Sequence, residues 1–170
     1  MLLCAGFMLS AGGSQEEPAP ALQENKAVIA ENWEVSWKFV DDEVEFTMSA
    51  PTTGWVSIGF NPSRAMRDAS YVIGYVSDGE VFIREDYGTG NTSHQSDDAV
   101  GGEQNARAIS GTIENGITTI VFAVPRDSGD EFDTVLNPGE TYTMLAAYGP
   151  NGANNFTARH PSRTSLEVTL

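Results

Sequence analysis

From Trp33 onward the chain alternates apolar and polar residues with a period of two. Trp33, Val35, Trp37 and Phe39 interleave with Glu34, Ser36 and Lys38, then Val44, Phe46 and Met48 interleave with Glu45, Thr47 and Ser49. That period places one face of a strand against a core and the other against water. Asp41-Asp42 between the two runs predicts a tight reversal. Residues 54–60 (GWVSIGF) read as a third, more fully buried strand. Runs 71–76 and 81–86 flank Ser77-Asp78-Gly79, and runs 107–113 and 117–124 flank Asn115-Gly116. Asp-Gly and Asn-Gly supply the positive φ angles of a primed hairpin turn. Strands at 141–148 and 164–170 complete eight or nine, with no amphipathic helix among them. Short strands at this spacing predict an all-β sandwich or barrel. Two polar stretches, 61–70 and 87–106, read as long loops, the usual seat of a binding site on a rigid sandwich.

The first thirty residues do not share this pattern. Residues 2–11 (LLCAGFMLSA) are an apolar run of signal-peptide length, and Ala11 and Gly13 suit a cleavage site before Ser14. No basic residue precedes the run. Residues 1–13 are therefore expected to be a leader, 14–30 (SQEEPAPALQENKAVIA) a flexible linker, and 31–170 the folded domain of an exported protein. Leu3 stands before Cys4 where lipidation favours a small residue, so a lipid anchor there is the less favoured form of export. No further apolar run is long enough to span a membrane as a helix.

Composition narrows the function. The 170 residues carry 24 Asp+Glu against 9 Lys+Arg, a formal charge of −15. A phosphate backbone is repelled by such a surface, whereas a basic protein partner is steered toward it. One cysteine excludes a disulfide framework and a thiolate cluster, and two histidines, His94 and His160, exclude a site of several imidazoles. There is no Gly-rich phosphate loop, G-x-S-x-G turn or HExxH helix, and no carboxylate pair stands out among the acids.

Of five methionines, Met1 and Met8 fall in the leader, and Met48 and Met144 lie on strands as core filler. Met66 instead sits in the polar loop NPSRAMRDAS. Taken alone, a loop methionine is more often a packing plug than a ligand. His160, just before the last strand in ARHPSR, would taken alone be a surface or capping residue, and His94, among Ser, Gln and Asp, a solvated one.

The order of these segments changes that weighting. GWVSIGF, the Met66 loop, YVIGYV, Asp86-Tyr87, ITTIVFAV, Asp133, GETYTMLAAY, and His160 with Arg163 together resemble a DOMON domain over residues 31–170. The resemblance implies an immunoglobulin-like antiparallel β-sandwich of about 8–10 strands, a count in keeping with such folds, that binds haem b or, in other branches, sugars. In the haem-binding branch one Met and one His are the axial ligands, and by position these match Met66 and His160. It implies a non-covalent haem b, since no C-x-x-C-H motif is present. It also implies an electron carrier rather than an enzyme, working with a separate redox partner protein. Trp55, Phe60, Tyr71, Tyr148 and Phe156 are then candidates for the haem pocket, and Arg163, Arg64 and Arg67 for its propionates. The competing readings are a carbohydrate-binding module without haem and a non-catalytic adhesion or assembly domain of the cell envelope.

Overall fold

A computed structural model describes residues 25–170. The leader and the first part of the expected linker lie outside the described residues. Eleven strands and one helical turn follow in order: β1 (Asn25–Ala30), β2 (Trp33–Val40), β3 (Glu43–Ala50), β4 (Val56–Phe60), β5 (Ser70–Ser77), β6 (Glu80–Gly90), β7 (Ser93–Ser96), α1 (Asp97–Val100), β8 (Arg107–Glu114), β9 (Ile117–Pro125), β10 (Thr141–Tyr148) and β11 (Ser162–Thr169). They form two antiparallel sheets, one ordered β1-β2-β3-β9-β8 and the other β11-β10-β4-β5-β6-β7. The expected sandwich is present.

The core is made by the period-two residues. Val35, Trp37, Phe46, Met48, Ile120 and Phe122 from the first sheet meet Val56, Ile58, Phe60, Tyr142 and Met144 from the second. Phe46 stacks on Phe122 with centroids 5.5 Å apart and meets Phe60 at 5.6 Å. Aromatic pairs in these offset and tilted geometries contribute beyond their buried area. The hairpin turns behave as the sequence requires: Asp78 and Gly79, and Asn115 and Gly116, all have positive φ.

Two boundaries differ from expectation. The linker expected over 14–30 is, from Asn25 to Ala30, an edge strand paired with β2, so the folded unit starts before residue 31. The polar stretch 87–106 is not one loop: β6 continues to Gly90, β7 folds back on it, and α1 follows. Both strands are sheet edges whose side chains mostly meet water, so apolar periodicity could not reveal them. With them the described strands number eleven, beyond the 8–10 expected. Among the described residues no helix is long and apolar enough to cross a membrane.

One end of the sandwich buries acid. Glu85 is 4% exposed and Asp97 is fully covered, with Asp130 and Asp133 close by. Glu85 accepts backbone N–H bonds from Asn105 and from Ala106, whereas neither carboxylate oxygen of Asp97 has a partner among the described residues. Burial, then the charges of Asp133 and Glu85, pushes Asp97 up to about 8, and burial raises Glu85 to about 7. Both groups titrate higher in the fold than in an unfolded chain, so the folded state holds the extra protons and stability falls as pH rises from about 4 to about 8. Thermal unfolding followed by circular dichroism is expected to give a falling Tm across that range. Asp97→Asn is expected to flatten the slope and raise Tm at the alkaline end by several degrees, at roughly 2–4 °C per kcal/mol for a domain of this size. An unchanged slope in the variant would show that Asp97 is not the group responsible.

Candidate functional site

The second sheet is apolar on both faces. Strand β4 is buried throughout, with Val56, Ile58 and Phe60 turned into the core and Ser57 and Gly59 on the opposite face. On that outer face Tyr71 and Ile73 of β5 and Leu145 and Ala147 of β10 join Trp55, Ala69 and Ala153 in a second apolar cluster. Gly59 lies directly opposite Tyr71, and a Cβ on it would fall 2.3 Å from the Tyr71 ring. The tyrosine therefore lies flat along the sheet. Small residues in the floor and partial cover leave a cleft of two adjoining cavities, about 470 and about 520 Å³. Both share Met66, Tyr71, Thr92, Ala147, His160 and Arg163, and both volumes fall in the range of cofactor and ligand sites.

Met66 is set by a tightly bonded loop. The Arg67 N–H donates to the Arg64 carbonyl and the Ser63 N–H to the Arg67 carbonyl, each at 2.9 Å. The loop is stitched to β6 by Asp68 N–H to Gly88 O at 2.8 Å and Gly88 N–H to Ala69 O at 2.9 Å. The Tyr71 hydroxyl donates to the Met66 carbonyl at 3.1 Å. Ala65 holds φ 54°, a left-handed conformation that costs a non-glycine residue roughly 1–2 kcal/mol. The polar sequence of the loop is thus its solvent side, while the half-buried Met66 side chain packs against the outer cluster.

His160 comes from the other side of the cleft, on the segment that joins β10 to β11. That segment is anchored by the Trp55 indole N–H, which donates to the Ala158 carbonyl at 3.2 Å, and by Asn155 Oδ1, which accepts from the N–H groups of Thr157 and Ala158. Burial, and after it the charge of Arg163, holds the His160 imidazole below its usual range. At neutral pH the ring is uncharged and keeps a lone pair for a ligand bond.

The cleft carries positive charge on an acidic protein. Arg64, Arg159 and Arg163 line it and form no ion pair among the described residues. Elsewhere Lys26 pairs with Glu34, Lys38 with Glu45, Arg84 with Asp86 and Arg107 with Glu43. Unpaired arginines gathered on one cleft suit a ligand with carboxylate groups.

A DOMON domain model matches residues 30–149. The chain belongs to the DOMON family. Curated relatives include the DOMON domain-containing protein FRRS1L of Mus musculus, 30% identical over 122 residues, 68% of this chain and 38% of that protein. DBH-like monooxygenase protein 2 of Mus musculus is 28% identical over 128 residues, 73% of this chain and 20% of that protein. This DOMON chain therefore spans well under half the length of the relatives it matches. Among solved structures, the cytochrome domain of Myriococcum thermophilum cellobiose dehydrogenase superposes with a TM-score of 0.61 at 9% identity, covering 91% of this chain and 86% of that one. The cytochrome b domain of pyranose dehydrogenase from Coprinopsis cinerea gives 0.59 at 14%, covering 86% and 80%. At those identities the likeness is one of fold.

Within this DOMON domain, Met66, His160, Tyr71, Trp55, Arg64 and Arg163 line the cleft together. The other candidates lie elsewhere. Phe60 and Tyr148 point into the space between the sheets, where Tyr148 meets Trp33 edge-on at 4.9 Å, so neither is a cleft residue. Phe156 packs on Tyr75 with the Arg84 guanidinium over its ring, beside the cleft and not in its lining. Arg67 is exposed on the loop and outside the lining. Strand parity separates these cases: Trp55 shares the outward parity of Ser57 and Gly59, and Phe60 the inward face of Val56 and Ile58.

Sequence reasoning missed Arg159 and His94. His94 is half-buried and bonded; Nδ1 bonds Asp86, which is fully buried and also takes the Nε and Nη2 donors of Arg84 at 2.5 and 2.7 Å. The run 81–86 was visible as a strand, but its edge partner β7 was not.

The seating of Met66 is testable without a ligand. A Cβ on Gly88 would fall 1.8 Å from the Met66 carbonyl oxygen, a backbone atom that cannot swing aside. Gly88→Ala is expected to lower stability by about 1–3 kcal/mol, as overpacking does, read by urea unfolding. A neutral result would mean that the loop is not pinned there.

Proposed function

We propose that this DOMON domain is an exported b-type cytochrome that holds one haem non-covalently between Met66 and His160 and transfers electrons. The observation that carries the reading is that a thioether and an uncharged imidazole, distant in sequence and supported on different loops, line both lobes of one apolar cleft. The residues present fit the group. Met66 and His160 would be the axial ligands, and Arg163, with Arg64 or Arg159, would meet the propionates. Tyr71, Trp55, Leu145 and Ala147 would exclude water from the ring. A haem with both axial positions filled by side chains supplies a one-electron couple and leaves no vacancy for oxygen, and thioether ligation favours the ferrous state. Sheet-anchored loops keep the two donors in place as the charge changes. The formal charge of −15 favours a basic electron-transfer partner. The leader expected at 1–13 supports export.

A carbohydrate-binding reading has one feature in its favour. Tyr75 and Phe82 stack at 5.0 Å on the outer face, and Phe82 is 39% exposed, a surface on which a pyranose ring could lie.

Titration of the purified protein with hemin separates the two. One equivalent is expected to bind, with a low-spin spectrum and narrow α and β bands on reduction. His160→Ala is expected to lose the low-spin bands, and Met66→Ala the thioether-to-iron charge-transfer band of the ferric form. A protein that stays colourless with added hemin and binds sugars contradicts the proposal.

A further inference from the structure

We infer that His94 is a third iron donor of the cleft, able to take the place of Met66 opposite His160; this rests on the haem reading above. His94 lines the same cavity as Met66 and His160. It is held there as histidine ligands commonly are, by a carboxylate on the nitrogen that faces away from the metal. Asp86 occupies Nδ1, and Arg84 fixes Asp86 from its other side. The remaining nitrogen, Nε2, has no hydrogen-bond partner among the described residues. A solvated histidine needs no such scaffold, and Asp86 is wholly buried beneath it.

The topology tells which ligand His94 can replace. In the order β11-β10-β4-β5-β6-β7, His160 directly precedes β11 at one edge of the sheet, and His94 lies on β7 at the other. The Met66 loop is bonded to β6, the neighbour of β7, through Gly88. Tyr71 touches both donors, its hydroxyl on the Met66 carbonyl and its ring 6.1 Å from that of His94. Met66 and His94 therefore approach the cleft from one side and His160 from the other. Exchange between the first two interconverts a thioether–imidazole and a bis-imidazole centre. Imidazole is the donor better suited to ferric iron and thioether to ferrous, so the tendency to exchange would be greater in the ferric form, in which Met66 still holds the iron of the wild-type protein.

The test is a set of hemin-loaded full-length proteins read by optical and electron paramagnetic resonance spectra in the ferric form. Met66→Ala is expected to stay six-coordinate and low-spin, now with a bis-imidazole signature. Met66→Ala/His94→Ala is expected to become high-spin, and added imidazole to restore the low-spin form. His94→Ala alone is expected to fold, by circular dichroism, and to keep the Met66 charge-transfer band. A high-spin Met66→Ala protein that the second substitution does not change overturns the inference while leaving the Met66/His160 centre standing. A wild-type protein that takes up no hemin overturns both.

Discussion

An apolar second face on one sheet is the constraint from which the site follows. In a sandwich the inner faces bury each other and the outer faces can stay polar. Here Tyr71, Ile73, Leu145 and Ala147 put apolar surface on the outside of the six-stranded sheet as well. Burying such surface contributes about 25 cal/mol per Å², so the loops that flank it are drawn over it. The loop before β5 brings Met66, and the segment before β11 brings His160. Cover is incomplete because Ser57 and Ala147 are small, and what remains is a cleft with Met66 on one side and His160 on the other.

Charge follows the same division. Most of the surface is acidic, and the cations outside the cleft, apart from the exposed Arg67, are held by carboxylates or carbonyls, as with Arg126, which donates to Leu136 O and Asn137 Oδ1. The arginines of the cleft are left without an anionic partner. An anionic group entering there would find guanidinium donors that no carboxylate of the protein already holds. In the proposed function the acidic exterior would meet a partner protein and the cationic cleft a cofactor.

Much of this was legible in the chain. Strict alternation in β2 and β3 marked the inner core, Asp-Gly and Asn-Gly marked two hairpins, and Met66 and His160 were singled out by an order of segments that resembles a DOMON domain. What periodicity could not supply was parity on strands buried from both sides. In 54–60 every residue is apolar or small, so nothing distinguished Phe60, which faces the core, from Gly59, which lies under the Tyr71 ring on the outer face. Nor could it reveal β7, whose polar alternation resembles a loop, and with β7 it lost the placement of His94 beside Asp86.

X-ray absorption at the iron edge of the dithionite-reduced, hemin-loaded protein examines the central claim most directly. One sulfur scatterer together with five nitrogens is expected, the sulfur disappearing in Met66→Ala. A reduced centre with no sulfur in its inner sphere, in a protein with Met66 intact, would contradict the assignment of that residue to the iron.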